Sequence, residues 1–261
     1  NTYFDPVIRS NGEFVQTKGY CTDVFFQAAI DWIDQCRQKD QPFFCLLTPN
    51  APHGPLHCPP NSDAVYLQRL AAAGSSKPQQ RAEIARFYGM IENIDTNMGR
   101  LLDKLDEWGL AEKTLVVFTT DNGTATGAAI SNDSMRGSKG TPYRGGTRVP
   151  SFWRWPGVLP QGVDVPALTA HIDVFPTLCD IAQIQLPPAL GSRVEGRSLL
   201  PLLEDAHAAW PERTLVTHVG RWERNQAAHS PWAHCSIRGG GYALINTANK
   251  PDAWQLYDSS K

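Results

Sequence analysis

The sequence predicts an α/β fold: a mostly parallel or mixed central sheet flanked by helices, followed by the start of a small antiparallel C-terminal subdomain. Strand-like apolar runs alternate with helical segments before residue 204. The run at residues 115–118 shows no polar alternation, which is typical of a strand buried on both faces. Short strand-like runs separated by turns follow residue 204. We therefore predict an α/β domain over residues 1–203 and the antiparallel subdomain over residues 204–261.

The first predicted elements are a helix and a strand. Apolar residues recur at helical spacing over residues 23–36, and Thr22 is available as the N-cap. The apolar run at residues 43–47 predicts a strand. It ends in a proline-rich loop that cannot continue a sheet, so His53 is delivered just past the strand end.

A surface crossing and a long helix are predicted next. Residues 61–79 are small and polar, and Pro78 is well placed in the first turn of a helix. Apolar residues at steps of three and four continue that helix until Gly109. The glycine-rich stretch 123–147 has no periodicity of its own, so it is either disordered or functional.

The remaining predicted elements are short. A strand is expected at residues 150–155 and a helix at residues 172–184. The strand-like runs of the subdomain are residues 214–219, 233–237 and 242–246.

Polar residues follow the strand predicted at residues 114–120. Asp121 and Asn122 stand at its carboxyl end, where open α/β sheets bind ligands, and Gly123 lets the chain turn away. A carboxylate beside an amide carbonyl offers two oxygen ligands to a hard cation. An ordinary Asp-Asn-Gly turn is the alternative, because all three residue types favour turns. The pattern predicts either half of a metal site or a turn.

The whole-chain composition excludes several classes of protein. With 41% apolar and 19% charged residues, the chain of 261 residues is typical of a globular protein. The net charge of -2 provides no general attraction to nucleic acid or to an anionic membrane. No stretch approaches the roughly 20 apolar residues that span a bilayer. The six cysteines form no Cys-x-x-Cys pair and leave the compartment undetermined. The chain begins without methionine, which indicates a fragment or a processed chain.

Four segments carry a resemblance to a known family. They are Pro52-His53-Gly54-Pro55, Thr120-Asp121-Asn122-Gly123, Gly137-Ser138-Lys139-Gly140, and Tyr143-Arg144-Gly145-Gly146-Thr147-Arg148-Val149-Pro150. In this order they resemble the later half of the type I sulfatases, in the alkaline-phosphatase-like superfamily. Further stretches agree with the resemblance, namely residues 91–105, 171–178, 195–199 and 255–258.

The resemblance implies a sulfuric ester hydrolase. It implies that Asp121 and Asn122 hold one side of a calcium ion, whose other ligands come from an earlier strand. It also implies that His53 and Lys139 reach the sulfate and the leaving oxygen, as proton donor and compact positive charge. The expected substrate is a small-molecule or glycan sulfate ester, with no nucleic acid or membrane partner, and the family suggests an exported protein.

The nucleophile of the family is a formylglycine made within a Cys/Ser-x-Pro/Ala-x-Arg motif. None of the six cysteines stands in such a motif, so the formylglycine and the early aspartates are expected upstream of this segment. We predict that residues 1–261 alone are inactive as a sulfatase and bind calcium weakly at best.

Other functions remain open at the level of the sequence. Within the same superfamily, a phosphate or phosphonate ester hydrolase is the nearest alternative, because sulfate and phosphate share a shape. From another class, a non-catalytic relative could bind sulfated glycans. His53 could simply be a loop histidine and Lys139 a solvated charge.

Several other residues have weaker claims to the site. Arg144 departs from the resemblance, since many relatives carry glutamate there, and with Arg148 it is expected to brace the loop by pairing with carboxylates. Arg221, Trp222 and Trp232 are candidates for a carbohydrate-facing surface, with packing against the sheet as the alternative. Three further histidines, His57, His171 and His218, are expected to be structural or peripheral, and His218 is also a possible substrate contact.

Overall fold

The computed structural model describes residues 2–74 and 77–259. The chain divides into two compact units, Asn1–Ala111 and Glu112–Lys261, and each is described by itself. The domain boundary expected at residue 204 remains a prediction. Within the described residues, no helix is both long enough and apolar enough to cross a membrane.

The first unit contains a hairpin and three helices. Its elements are β1 (Val7–Ser10), β2 (Glu13–Gln16), α1 (Cys21–Gln38), α2 (Ala64–Ala72) and α3 (Pro78–Glu107). The hairpin turns at Asn11 and Gly12, which both have positive φ, as a two-residue turn between antiparallel strands requires.

Helices α1 and α3 pack together and form the core of this unit. Ile84, Met90 and Leu105 of α3 are almost fully buried, as are Phe26 and Ile33 of α1. The prediction that the long helix begins at Pro78 is confirmed. A polar bridge also joins the two helices, because the amides of Asn93 and Asn97 both donate to Asp23.

Two sequence predictions in this unit were wrong, and a third, the surface position of residues 61–79, holds but left out a helix. Thr22 lies inside α1 and is fully buried, and no side chain caps that helix. The surface crossing contains the helix α2, with no fully buried residue, because its apolar face only partly covers α3. Residues 43–47 form no strand in the described structure, and Phe44 and Leu46 are 70% and 77% exposed. A strand needs a partner for its backbone groups, and no described segment pairs with this one.

The second unit consists of short helices and antiparallel strands. Its helices are α4 (Arg144–Thr147), α5 (Val174–Ile181), α6 (Pro188–Gly191) and α7 (Leu200–Glu204), besides short 3-10 turns. Its strands are β3 (Val116–Thr119), β4 (Ser151–Arg154), β5 (Leu215–His218), β6 (Cys235–Gly239), β7 (Tyr242–Asn246) and β8 (Gln255–Asp258).

The strand before Asp121 is present, but its pairing differs from the prediction. Strand β3 pairs antiparallel with β4, with Phe118 opposite Phe152, and β3 is only half-buried. No parallel pair occurs among residues 2–74 and 77–259, so the predicted central parallel sheet is not seen there. The prediction that this strand is buried on both faces was wrong, because neighbouring strands decide how much of a strand is covered and in which direction it pairs.

The antiparallel strands predicted after residue 204 are confirmed, and they form a four-stranded sheet in the order β5-β6-β7-β8. Strand β6 pairs with β5 and β7, and β7 pairs with β8, all antiparallel. Strand β8 was not predicted as a strand from periodicity, although residues 255–258 belong to a family-like stretch. This sheet supplies partners to the glycine-rich loop described below.

A buried carboxylate organises the region around α5. Asp173 is fully buried and forms an ion pair with Arg213 at 2.8 Å, and the side chain of Arg213 is 5% exposed. The backbone amides of Ala170 and Arg197 also donate to the Asp173 carboxylate. A Cβ atom at Gly196 would lie 1.8 Å from the carbonyl oxygen of Ile172, so the two segments touch backbone to backbone. We call these residues the Asp173 hub.

Candidate functional site

Asp121 and Asn122 follow β3 directly, at the end of the strand. Asp121 is exposed and Asn122 is half-buried. The hydroxyl of Thr120 donates to the carbonyl of Asn122 at 3.1 Å, which shapes the turn. The Nε2 of His171 lies 2.7 Å from the carbonyl oxygen of Thr120 and donates to it. Because His171 stands two residues before Asp173, the Asp173 hub positions this contact to the strand end.

The loop after Asn122 folds back on itself, and its glycines allow close contacts between backbone segments. The amide of Gly123 donates to the carbonyl of Gly146 at 3.0 Å. A Cβ atom at Gly123 would lie 2.0 Å from the carbonyl oxygen of Gly145, so only glycine fits. A Cβ atom at Gly145 would in turn lie 2.2 Å from the carbonyl oxygen of Gly137. Of the two alternatives left open for residues 123–147, the structure shows an ordered loop.

This loop brings Lys139 next to the Asp121–Asn122 turn. The amide of Lys139 donates to the carbonyl of Thr124 at 2.9 Å, two residues after Asn122. Thr141 closes the turn around the lysine, because its hydroxyl donates to the carbonyl of Ser138 at 2.8 Å. Lys139 is half-buried, and none of the described side chains pairs with its ammonium group. The sequence-predicted residues Asp121, Asn122 and Lys139 are therefore on adjoining backbone.

The four-stranded sheet holds this loop through an arginine between two tyrosines. The guanidinium of Arg136 lies 4.2 Å from the ring centroid of Tyr143 and 5.6 Å from that of Tyr257. Arg136 also donates to the hydroxyl of Tyr257, and both tyrosine hydroxyls donate to Gln255 of β8. These four residues are the aromatic clasp. Sequence reasoning missed it, and its one signal was the family-like stretch at residues 255–258.

Arg238 of β6 supports the loop from the same sheet. Its guanidinium donates to the carbonyl of Pro142 at 3.0 Å and to the hydroxyl of Thr147 at 3.2 Å. Burial lowers the pKa of Arg238, and the nearby charge of Arg144 lowers it further. The predicted pairing of Arg144 and Arg148 with carboxylates was wrong in the described residues. The loop is braced by Arg238 through neutral oxygens instead.

His53 belongs to the first unit, on an exposed loop anchored by two tyrosines. The hydroxyl of Tyr3 donates to the carbonyl of His53, and that of Tyr20 donates to the carbonyl of His57 at 2.7 Å. The rings of Tyr3 and Tyr20 stack with centroids 5.6 Å apart. The Nδ1 of His53 lies 2.8 Å from the carbonyl oxygen of Gly54. Since a carbonyl only accepts, Nδ1 carries the hydrogen and Nε2 is left for another partner.

Alkaline pH should loosen this anchor. Burial raises the pKa of Tyr3 from 10.0 to about 12, with a smaller contribution from Cys21. The unfolded phenol ionises from pH 10.0 upward while the folded one stays protonated, so stability is lost as pH rises toward about 12. We expect Tyr3→Phe to reduce this loss in urea unfolding followed by circular dichroism. Tyr242→Phe, at an exposed ring, is the control, and equal pH profiles for both variants would contradict the expectation.

The residues of the turn fit one side of a calcium site. Asp121 supplies a carboxylate and Asn122 an amide carbonyl, and no described side chain bonds to either group. Calcium takes six to eight oxygen ligands, so these two residues need further donors. Within residues 2–74 and 77–259, no group of three or more His, Cys, Asp or Glu side chains is arranged to hold a metal.

Comparison with known proteins decides the family. The sequence profile of the family described as Sulfatase matches residues 1–184, more than half of the chain. This chain belongs to the sulfatase family. A second profile, described as the C-terminal part of N-sulphoglucosamine sulphohydrolase, matches residues 138–261. The resemblance inferred from the four segments is thus confirmed.

Individual members of the sulfatase family agree with this assignment. An uncharacterized sulfatase, YdeN, of Escherichia coli (strain K12) is 33% identical over 223 residues, which cover 84% of this chain and 38% of that protein. The chain therefore spans well under half the length of this relative.

Two solved structures share the fold. Ps i-CgsB in complex with k-i-k-neocarrahexaose superposes with a TM-score of 0.76 at 24% identity, covering 96% of this chain and 51% of that one. A protein in complex with its substrate D-glucosamine-2-N, 6-O-disulfate also gives 0.76, at 22% identity, covering 99% and 67%. At these identities the likeness shows the fold alone.

Proposed function

We propose that the protein containing this chain hydrolyses sulfate esters, with a glycan or another small organic sulfate as substrate. The observation that carries the proposal is the hydrogen bond from the Lys139 amide to the Thr124 carbonyl. It brings a half-buried lysine, to which no described residue offers an ion pair, beside the turn of Asp121 and Asn122, whose side-chain oxygens accept no hydrogen bond from the described residues. Membership of the sulfatase family supports this chemistry.

The cations and oxygen ligands of the second unit have complementary roles in the proposal. Asp121 and Asn122 would hold calcium from one side, and the bound ion would neutralise charge on the sulfate oxygens. Lys139 would bind a sulfate oxygen as a compact positive charge, and its contribution is largest where negative charge develops. Because Asn122 is neutral, the ligand pair carries one negative charge and not two, which limits its repulsion of an anionic substrate.

His53 would serve the leaving oxygen. Its Nδ1–H is engaged by the Gly54 carbonyl, so Nε2 is the ring nitrogen that would be available to a substrate. The net reaction adds one water across the sulfur–oxygen bond: the alcohol oxygen gains a proton and inorganic sulfate is released. His53 would supply that proton from Nε2. The formylglycine expected from the family would come from residues outside this segment, and we propose that residues 1–261 by themselves are inactive.

An assay with matched esters tests the function. The protein made from its complete coding sequence should release 4-nitrophenol from 4-nitrophenyl sulfate faster than from 4-nitrophenyl phosphate. Lys139→Ala should lower kcat/KM by about a hundredfold, since it removes a group that stabilises developing charge. Lys113→Ala, at an exposed lysine of the same unit, is the control.

Three outcomes would contradict the proposal. A preference for the phosphate ester would favour the phosphate or phosphonate hydrolase. Binding of sulfated glycans without any release of sulfate would favour the non-catalytic relative. Equal activity of Lys139→Ala and Lys113→Ala would show that Lys139 does not act in the site.

Calcium dependence is a separate test of the metal ligands. Removal of calcium with a chelator should abolish activity reversibly, and activity that persists would argue against Asp121 and Asn122 as ligands.

A further inference from the structure

Arg221 lies beside the turn that carries Lys139. Its guanidinium carbon and one terminal nitrogen would each lie 3.9 Å from a Cβ atom added to Gly140, the residue after Lys139. Arg221 is exposed, and none of the described residues offers it an ion pair or a hydrogen bond. An arginine presents five donors in a rigid fork, so a free guanidinium at this place is prepared to bind an oxyanion.

Two further cations belong to, or contact, the loop that carries Lys139. Arg144 follows on the same loop, and its charge acts on Arg238 beneath the loop. Neither Arg144 nor Arg238 forms an ion pair in the described structure. Like charges held together without counter-charges raise the free energy of the site until an anion neutralises them. The loop therefore carries more positive charge than one sulfate would neutralise.

A partly exposed tryptophan follows Arg221 in the sequence. The ring of Trp222 lies 5.7 Å from that of His218, the last residue of β5, and Trp222 is 37% exposed. A partly exposed tryptophan offers an apolar face together with a polar edge. Such a face packs against the carbon–hydrogen face of a sugar ring, and the adjacent guanidinium can then reach an acidic substituent on that ring.

We propose that Arg221 is a specificity-determining residue for a second anionic group of the substrate, and that Trp222 packs against the sugar ring that carries this group. The substrate class would be a glycan with at least two anionic groups, one of them the sulfate to be released. This proposal rests on the proposed function for the identity of the first sulfate. The anion site itself rests on the position of Arg221. The second group is a sulfate or a carboxylate, because the guanidinium fork binds both.

Binding measurements with defined oligosaccharides test the proposal. The protein is titrated calorimetrically with a heparin tetrasaccharide, with the same tetrasaccharide after chemical desulfation, and with neutral maltotetraose. We expect the heparin tetrasaccharide to bind and Arg221→Ala to weaken binding by about ten- to a hundredfold, the worth of a charge-assisted hydrogen bond. Retention of the effect with the desulfated probe would assign the second group as a carboxylate, and its loss would assign a sulfate.

Matched variants distinguish a specific effect of Arg221 from the general effect of removing one positive charge. Arg193→Ala removes the same charge from an exposed position in the same unit, and it should leave binding within about twofold. Arg221→Lys should recover only part of the affinity, because it keeps the charge but loses the fork. Equal effects of Arg221→Ala and Arg193→Ala, or no binding of the heparin tetrasaccharide, would overturn the proposal.

Hydrolysis of 4-nitrophenyl sulfate distinguishes this inference from the proposed function. That ester carries a single anionic group, so Arg193→Ala should hydrolyse it at the wild-type rate. Arg221→Ala should lower kcat/KM for this ester by a smaller factor than it weakens binding of the tetrasaccharide. If the wild-type protein releases no sulfate but its tetrasaccharide binding depends on Arg221, the proposed function fails and the anion site stands. If sulfate release is normal and Arg221→Ala binds the tetrasaccharide as tightly as the wild type, the proposed anion site is refuted and the proposed function stands.

Discussion

The Asp173→Ala variant is expected to lose about 3–5 kcal/mol of unfolding free energy, the cost of breaking a buried ion pair by removing one partner. Asp173 is fully buried and Arg213 is 5% exposed, so the variant leaves a guanidinium charge without compensation. It also leaves the amides of Ala170 and Arg197 without their acceptor. Urea unfolding followed by tryptophan fluorescence measures the loss. Six of the eight tryptophans lie in the second unit, which contains the Asp173 hub.

A control and a double variant make this prediction specific. Asp164→Ala, at an exposed carboxylate of the same unit, should change stability by less than about 0.5 kcal/mol. Adding Arg213→Met to Asp173→Ala should restore part of the stability, because the unpaired charge is gone. Strictly additive losses in the double variant, or a stable Asp173→Ala protein, would show that the ion pair is not a coupled buried unit.

The second large effect is expected for Gly123→Ala, at about 3 kcal/mol or more, the upper range for overpacking. The new Cβ atom would lie 2.0 Å from a backbone carbonyl oxygen of Gly145, which cannot rotate away as a flexible side chain could. The clash is relieved only if the two halves of the loop separate, and this separation breaks the hydrogen bond from Gly123 to Gly146. The displaced loop carries Lys139, so activity should fall together with stability.

Gly99→Ala provides the matched control for this substitution. Gly99 lies within α3, where a Cβ atom would meet nothing within 4 Å. Alanine stabilises a helix interior relative to glycine by about 1 kcal/mol, so this variant should be at least as stable as the wild type. Thermal unfolding and sulfate release are measured for both variants. A Gly123→Ala protein with wild-type stability and activity would refute the close packing of the loop.

Local patterns predicted those parts of the fold that depend on nearby residues. Pro78 and the three-and-four spacing of apolar residues predicted α3, because helical hydrogen bonds and the buried face lie within one segment. The Asn11-Gly12 signal for the β1–β2 hairpin was present in the sequence and was overlooked. Residues 43–47 show the converse, because an apolar run becomes a strand only where another segment supplies its hydrogen bonds.

The candidate site was predicted from motifs and not from geometry. Asp121, Asn122, Lys139 and His53 came from family-like segments, and the structure places the first three on adjoining backbone of one unit. Their roles as metal ligands and catalytic groups stay predictions. Periodicity could not reveal the aromatic clasp, since Arg136 and Tyr257 are far apart along the chain and meet only after the loop and β8 have formed.

By itself, the sequence determined the family, the long helix, the antiparallel character of the C-terminal strands and the four candidate residues, because each of these depends on short motifs or local periodicity. Tertiary structure alone decided the antiparallel pairing of β3, the glycine contacts that order the loop, and the placement of Arg221 beside Lys139. It also decided that Asp173 is buried and paired. Burial, close backbone contact and charge proximity join residues distant in the chain, so no local pattern encodes them.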